Sequence, residues 1–252
     1  MSKFQAIQVT DFSTPKPENA IRVFCFSDTH GLHADIPREH IVPADIGIMV
    51  GDFTGYGNVT DVDSFRDWYL QLPFTHKIVI AGNHEISFDE ANRESITPMW
   101  NDRFTVPVET IKSHIYHEGL IYAEHSTIEL MGLKIFCSPY TPFFCNWAFP
   151  VPSNDDKFWD AIPYGTDIIA THGPPRGILD ITAGNFPVNC GDPLLARRVS
   201  QVKPALHIFG HIHETYGIKV SKAFGTTFAN VSVANFHYKI VNKPFVFDMV
   251  PK

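Results

Sequence analysis

Five short apolar runs in this chain each end directly in side chains that can bind a metal ion. The runs comprise residues 21–26, 46–50, 77–81, 167–170 and 205–209. Their lengths and their content of Ile, Val and Phe favour buried strands over helices. In open α/β sheets, ligands bind beyond the carboxyl ends of the strands, so we expect these five ends to converge on one cleft.

The polar residues that follow these runs form one candidate ligand set: Asp28, His30, Asp52, Asn83, His172, His211 and His213. The first run and the last run each supply two donors at a spacing of two, which places each pair on one side of an extended chain. Seven donors are too many for one tetrahedral ion, so the sequence predicts two metals. If Asp52 bridges them, one ion takes Asp28, His30, Asp52 and His213, and the other takes Asp52, Asn83, His172 and His211.

The donor types also limit the metal and its chemistry. Imidazole, carboxylate and amide groups without a thiolate suit Mn, Fe, Zn or Mg, and we expect Mn to support activity best. Two ions about 3.5–4 Å apart can hold a hydroxide between them and bind the non-bridging oxygens of a phosphoryl group. His84 is not needed as a ligand, so we expect it to stabilise or protonate the leaving oxygen. Asp52 and His84 are therefore the candidate catalytic residues.

The remaining pattern predicts the rest of an α/β chain. Apolar residues recur every three to four positions over 59–72, which predicts a helix with Asn58, Thr60 or Asp61 as its N-cap, and a second helix is expected after Asp192. A shorter third helix would begin near Ser153. Further strands are predicted at residues 133–137, 216–220, 226–233 and 245–250, the last three antiparallel. Together these elements predict an α/β fold in which two β-sheets form a sandwich flanked by helices.

Length and composition narrow the classes of protein. The chain has 252 residues, of which 44% are hydrophobic, so we expect a single domain over 1–252 with a polar N-terminal extension at 1–20. A net charge of −7 disfavours duplex nucleic acid as a partner. No run resembles a signal peptide or a membrane span, so we expect a cytoplasmic protein with no membrane partner. The sequence carries no signal for an oligomeric state.

The candidate ligands lie in five ordered blocks: Asp28-x-His30, Gly51-Asp52, Gly82-Asn83-His84-Glu85, His172-Gly173 and Gly210-His211-x-His213. In this order the blocks resemble the calcineurin-like metallophosphoesterase superfamily. Longer phrases around them are similar to its metallophosphoesterase-domain-containing subgroup, which resembles class III cyclic nucleotide phosphodiesterases. The resemblance covers about residues 22–251. It implies a two-sheet sandwich, a binuclear centre with the ligands assigned above, and hydrolysis of phosphodiesters.

Two positions within this resemblance bear on activity. Some vertebrate members of the subgroup carry Gly where this chain has His211 and are feeble enzymes, so that defect is absent here. Many members of the superfamily carry Asp at the position of Glu85. This difference leaves open which group orients His84.

We predict a metal-dependent phosphodiesterase that hydrolyses small diesters, with cyclic nucleotides among the candidates. Phe53 and Arg176 follow metal-bearing turns, and Trp147 lies in an aromatic stretch at 140–150, so these three are the candidate substrate-binding residues. One alternative is a phosphomonoesterase or protein phosphatase of the same fold, although phosphoprotein phosphatases carry an arginine where Phe53 stands. The other alternative is a non-catalytic interaction scaffold, which the complete ligand set disfavours.

Overall fold

The apolar runs form strands that are buried on both faces. In strand β2 (Ile21–Phe26), Val23 and Cys25 pack into the core between two sheets, whereas Phe24 and Phe26 pack toward helices on the outer face. This alternation follows from the two-residue period of an extended chain. The structure, a computed structural model, describes residues 1–93, 106–184 and 186–252.

The described chain contains twelve strands, three α-helices and five short 3-10 helices. Besides β2, the strands are β1 (Phe4–Gln8), β3 (Ala44–Val50), β4 (Phe74–Ile80), β5 (Leu120–Tyr122), β6 (Ser126–Leu130), β7 (Leu133–Ser138), β8 (Ile168–Thr171), β9 (Leu206–Phe209), β10 (Gly217–Val220), β11 (Thr227–Asn230) and β12 (Phe245–Pro251). The α-helices are α1 (Val59–Leu70), α2 (Val108–Ile115) and α3 (Pro193–Val202). The 3-10 helices are His33–Asp35, Arg38–His40, Ile86–Phe88, Phe158–Ala161 and His213–Thr215. None of the helices described has the length and apolarity to cross a bilayer.

The strands form two mixed sheets of six strands each. The first sheet has the order β1-β12-β2-β3-β4-β5, and the second has the order β10-β11-β9-β8-β7-β6. In the first, β2 to β5 run parallel while β12 is antiparallel to both of its neighbours. In the second, β7, β8, β9 and β11 run parallel, with antiparallel strands at the edges. The parallel strands within each sheet therefore end at the same edge.

Three clusters of buried side chains hold the layers together. The cluster between the sheets contains Ile48, Ile78 and Ile208, which are fully buried. Helices α1 and α2 cover the outer face of the first sheet, and α3 covers the outer face of the second through Leu195 and Val199. Burial of such side chains contributes roughly 1.5–3 kcal/mol each. This arrangement confirms the predicted α/β sandwich flanked by helices.

The predicted helix starts are confirmed in detail. The side chain of Asn58 accepts a hydrogen bond of 2.9 Å from the backbone N–H of Asp61 at the start of α1. At the start of α3, Asp192 accepts one of 2.7 Å from the N–H of Leu195, and Pro193 occupies the first helical position. Each cap satisfies a donor that the helix itself leaves unpaired.

Other elements differ from the sequence prediction. Strand β1 lies within residues 1–20, which we expected to form a polar extension, and it pairs with β12 along its whole length. Strands β5 and β6 and helix α2 were not predicted. The third helix expected near Ser153 is only the 3-10 turn at Phe158–Ala161. The strands among these elements depend on pairing with distant parts of the chain, which local patterns do not reveal.

Candidate metal centre

Turns at the ends of five strands bring the seven predicted ligands together. They follow β2 (Asp28, His30), β3 (Asp52), β4 (Asn83), β8 (His172) and β9 (His211, His213). Two of these turns contain glycines that admit no side chain. A Cβ at Gly82 would collide with the carboxylate of Asp52, and a Cβ at Gly210 would collide with that of Asp28. Glycine at these positions therefore lets the turns approach one another.

The carboxylate of Asp28 is fully buried and fixed by neutral donors. Its Oδ2 accepts hydrogen bonds from the hydroxyls of Ser27 and Ser232, the latter at 2.7 Å. The backbone N–H of His211 donates to Oδ1 at 3.1 Å. The same Oδ1 lies 3.2 Å from Nε2 of His213. Asp28 thus presents one oriented oxygen to the first group of donors.

Asp28, His30 and His213 form this first group, and their ligand atoms all lie within 4.8 Å of one another. The Nε2 atoms of the two histidines are 3.2 Å apart. Nδ1 of His213 lies 3.0 Å from the carbonyl oxygen of Asn235, so it carries the proton and donates to that oxygen. Nε2 of His213 therefore offers its lone pair to the centre of the group.

Asp52, His172 and His211 form the second group, again within 4.8 Å. Oδ2 of Asp52 lies 3.2 Å from Nε2 of His172 and 3.9 Å from Nε2 of His30. One carboxylate oxygen of Asp52 is thus near donors of both groups. Oδ1 of Asn83 lies 3.0 Å from Nε2 of His172 and extends the second group to four residues. Each group contains residues that the sequence assigned to one ion, and the binding of two ions stays a prediction.

The arrangement of these atoms fits bound cations. Nδ1 of His172 lies 2.9 Å from the carbonyl oxygen of Val50 and donates to it, which leaves Nε2 with a lone pair. That lone pair faces oxygens of Asp52 and Asn83 in a buried site. Electron pairs in such proximity repel one another unless a proton or a metal ion lies between them. The donor types and their oriented lone pairs are those of a site for divalent metal ions.

Burial sets the charge state of the histidines. Burial lowers the pKa of His30 and of His211 to about 3, so both imidazoles are neutral near pH 7, the form that binds a metal. Burial also disfavours the charged form of His172. The negative charge of Asp52 outweighs that effect and raises the pKa of His172 to about 9. Without a metal, Nε2 of His172 therefore carries a proton near pH 7, and a metal ion would bind the Nε2 lone pair in place of that proton.

The two carboxylates remain ionised for a related reason. Burial alone would raise the pKa of Asp28, but the hydrogen bond and the charge of His213 outweigh burial and lower it. Burial would likewise raise the pKa of Asp52, but the charges of His172 and His84 hold it well below the usual range. An ionised carboxylate is the metal-binding form.

Glu85 organises the turns that carry two of the ligands. Its carboxylate is fully buried and accepts hydrogen bonds from the backbone N–H groups of Asp52, Thr54 and Gly82 at 2.9, 2.9 and 2.7 Å. The hydroxyl of Thr54 donates to it as well, at 2.9 Å. Glu85 therefore joins the turn after β3 to the turn after β4, and these contacts do not involve the imidazole of His84.

His84 is oriented by a backbone oxygen and an aromatic ring. Its Nδ1 donates to the carbonyl oxygen of Gly55 at 2.8 Å, which leaves Nε2 4.0 Å from Oδ2 of Asp52. The ring stacks on Trp147 with centroids 4.1 Å apart and an interplanar angle of 28°. The carbonyl group of Gly55 and the ring of Trp147 are therefore the groups that orient His84, which the sequence left open. The ligand atoms of His30, Asp52 and His84 also lie within 4.8 Å of one another, so His84 is close enough to the centre to contribute a donor.

A cavity of about 490 Å³ opens beside the donor cluster. His30, Asp52, Asn83, His84, His211 and His213 all line it. Of the predicted substrate-binding residues, Arg176 lines the cavity and its side chain is exposed; its Nη1 donates to the carbonyl oxygen of Asn189 at 3.2 Å. Trp147 is absent from the described lining, and its ring stacks on that of His84.

The prediction that Phe53 binds substrate is wrong. Its side chain is fully buried in the core between the first sheet and the helices on its outer face. It packs between Phe65 and Phe88, whose ring centroids lie 4.6 and 5.9 Å from its own. The strand-end turn directs Asp52 into the site, and the next residue points the other way. Position after a metal-bearing turn was therefore a poor guide to contact with substrate.

Sequence reasoning missed the loop that carries Phe236 and Tyr238. Both residues line the cavity, and the ring of Tyr238 lies 4.7 Å from that of His30, edge to face. This loop follows β11, about 25 positions after the last ligand block, and no donor spacing marks it. The sequence shows only the two aromatic residues themselves; their exposure, which often marks a binding surface, is seen only in the structure.

The family model for calcineurin-like phosphoesterases matches residues 21–215, a range that includes every predicted ligand. The chain belongs to the calcineurin-like phosphoesterase family. This membership and the clustered histidines and carboxylates support metal binding and phosphoester hydrolysis. Small-molecule phosphoesters are the substrates that the family implies.

Relatives with similar sequences extend over most of the chain. The chain is 36% identical to human metallophosphoesterase domain-containing protein 1, over 97% of this chain and 76% of that protein. It is 32% identical to UPF0046 protein T07D4.2 of Caenorhabditis elegans, over 94% of this chain and 62% of that protein. The solved structure of TT1561 from Thermus thermophilus shares the fold, with a TM-score of 0.53, 11% identity and coverage of 84% of this chain and 88% of that one.

Proposed function

We propose that this chain hydrolyses small phosphodiesters with the help of two metal ions. The observation that carries the proposal is the composition of the cavity around the donor cluster. Its lining includes the rings of Phe143, Phe144, Phe236 and Tyr238, whereas Arg176 is the single arginine or lysine among its described residues. Cyclic nucleotides are candidate substrates within this class.

The charge of the substrate decides between diesters and monoesters. A phosphomonoester near neutral pH is largely a dianion, and removing its second charge from water requires cations beyond the metals. The described lining supplies one exposed guanidinium for this purpose. A diester carries one negative charge and an organic group on each side of phosphorus, and the aromatic lining can bind such groups.

Each residue of the centre has a proposed role. Asp28, His30, Asp52 and His213 would hold one ion, and Asp52, Asn83, His172 and His211 the other. When bound, the ions would neutralise the phosphoryl oxygens and lower the pKa of a water molecule, and we propose Mn as the metal that supports activity best. His84 presents Nε2 to the cavity and would, when protonated there, donate that proton to the leaving oxygen. Gly55 and Trp147 hold the imidazole for this transfer.

The proposal is tested by comparing 4-nitrophenyl phosphate with bis(4-nitrophenyl) phosphate, which share a leaving group. We expect kcat/KM, measured with the same metal, to be at least about tenfold higher for the diester, or roughly 1.4 kcal/mol in transition-state binding. A preference for the monoester would replace the proposal with a phosphomonoesterase. Hydrolysis of neither compound by the metal-loaded chain would favour an interaction scaffold. The cytoplasmic location stays a prediction from the sequence.

A further inference from the structure

Two exposed aromatic loops border the cavity, and each lies beside a different group of metal ligands. In the loop after β7, the ring of Phe144 lies 6.1 Å from that of His211, edge to face. In the loop after β11, the ring of Tyr238 lies 4.7 Å from that of His30 and 5.6 Å from that of His213. The side chains of Phe144 and Tyr238 are at least half exposed although both line the cavity.

The first loop is tied to the second group of ligands. The backbone N–H of Ala148 donates to the carbonyl oxygen of Asn83 at 3.2 Å, and that of Phe149 donates to the buried carboxylate of Asp89 at 2.7 Å. Cys145 and Asn146 adopt positive φ angles of 47° and 55° between these anchors and Phe144. Such conformations are unfavourable for residues other than glycine and persist where the surroundings enforce them.

The second loop is tied to the first group of ligands through Asn235. The carbonyl oxygen of Asn235 accepts hydrogen bonds from Nδ1 of His213 at 3.0 Å and from the N–H of Tyr238 at 2.8 Å. Its side-chain oxygen accepts from the N–H groups of His237 and Lys239 at 3.0 and 3.1 Å. Tyr238 itself has a φ of 56°. The loop and the histidine are therefore positioned by one residue.

We infer that the two loops form separate subsites for the two organic groups of a phosphodiester. This inference rests on the proposed function and names how the same site selects its substrate. A general acid must lie within hydrogen-bond distance of the leaving oxygen, so the leaving group sits beside His84. Trp147 of the loop after β7 lies closer to His84, with ring centroids 4.1 Å apart, but it is absent from the described cavity lining. Tyr238 does line the cavity, and its ring is 6.2 Å from that of His84, which assigns the leaving group to the loop after β11.

The retained group then lies on the loop after β7, beside Phe144 and its exposed neighbour Phe143. These rings offer apolar surface next to His211, and an aromatic or other bulky apolar group gains more from such surface than a methyl group does. Among the diesters of the proposed function, the preferred substrate is therefore an acyclic diester with a large apolar group on the retained oxygen and a second ring-sized group as the leaving alcohol, and not a cyclic nucleotide, in which one group carries both ester oxygens. Diesters with a small retained group would be poor substrates.

Methyl 4-nitrophenyl phosphate and phenyl 4-nitrophenyl phosphate test this assignment, because they differ only in the retained group. With kcat/KM divided by the uncatalysed rate of each compound, we expect the enzyme to prefer the phenyl compound by about tenfold or more. Phe144→Ala should reduce this preference to about threefold or less, with Phe144→Leu intermediate. Tyr238→Ala should lower kcat/KM for both compounds by the same factor and leave the preference unchanged, and Tyr238→Phe should restore most of the loss because the ring makes the contact.

Tyr116→Ala is the matched control, since Tyr116 is an exposed aromatic residue outside the described cavity lining. It should change neither rate nor preference, and the metal content of every variant is measured to confirm an intact centre. Two outcomes would overturn this inference but not the proposed function. One is an equal kcat/KM, relative to the uncatalysed rate, for the two compounds in the parent chain. The other is loss of the preference in Tyr238→Ala and not in Phe144→Ala. A higher kcat/KM for 4-nitrophenyl phosphate than for either diester would instead overturn the proposed function.

Discussion

At the scale of single residues, the position of His84 is set by its contacts with Gly55 and Trp147. Gly55 fixes its Nδ1, Trp147 packs on its ring, and Nε2 faces Asp52 and the cavity. If His84 is the general acid, His84→Ala should lower kcat/KM for diesters with a weakly acidic leaving alcohol by about 100-fold or more, with the metal content nearly unchanged. The loss should shrink as the leaving group becomes more acidic, because a good leaving group needs less protonation.

A matched histidine outside the site controls for general effects of the substitution. His117 is exposed, and its Nδ1 lies 2.6 Å from the carbonyl oxygen of Glu118, away from the described cavity lining, so His117→Ala should retain full activity. Metal analysis is the decisive measurement. If His84→Ala loses one metal ion per chain, His84 is a ligand, as its distance to His30 and Asp52 also allows.

His207 shows how burial affects stability at the same scale. It is fully buried in β9, its Nε2 lies 2.9 Å from the hydroxyl of Thr171, and its Nδ1 has no partner among the described residues. Burial lowers its pKa to about 3, against about 6.5 in an unfolded chain. As the pH falls through this window, the unfolded chain takes up the proton and the folded chain does not.

Because of His207, the free energy of unfolding should decrease as the pH is lowered from 6.5 to 3, by up to about 1.4 kcal/mol per pH unit. The test compares His207→Gln with the parent chain, both with chelator present so that loss of metal does not contribute. Between pH 7 and 5, the free energy of unfolding of the parent should decrease by about 2 kcal/mol more than that of the variant. Parallel pH profiles would contradict a neutral His207 in the folded state.

At the scale of elements, strand β1 is the one whose contribution to stability is not evident from the sequence. Only Phe4 among its five residues is buried, while Gln5, Ile7 and Gln8 are exposed, so the stretch resembles a polar tail. We predict that Phe4→Ala lowers the free energy of unfolding by about 3 kcal/mol, the usual cost of emptying a core aromatic site. Ile7→Ala, on the exposed face of the same strand, should cost less than about 1 kcal/mol. Similar small losses in chemical denaturation of both variants would show that β1 adds little to the core.

The other strands could be predicted from the sequence when most of their residues are buried. Central strands such as β2 and β9 are mostly apolar because both faces are buried, with Arg22 and His207 as the exceptions, and such runs are evident in the sequence. Strands β5 and β6 are short or half exposed and form through hydrogen bonds to β4 and β7. Helix α2 carries Val108, Ile111 and Ile115 at helical spacing after Pro107, so its signal was present and was overlooked.

At the scale of the whole molecule, the site lies where strands of both sheets end, and this explains why its ligands were predictable. A ligand must follow a strand closely to reach the common edge, so its place in the sequence is restricted. Substrate-contacting residues have no such restriction. Phe53 was assigned wrongly for this reason, and Tyr238 was missed, because loop conformation and not strand spacing decides which side chain faces the cavity.

The central claim is that the folded chain assembles one centre for two metal ions, with Asp52 shared between them. The most direct measurement is the number of ions bound per chain in the parent and in three variants, by equilibrium dialysis and metal analysis. We expect two per chain for the parent, loss of mainly one ion in either His213→Ala or His211→Ala, and weakened binding of both ions together with the lowest diesterase activity in Asp52→Ala. One ion per chain at saturation, or full diesterase activity after complete removal of metal, would contradict the account.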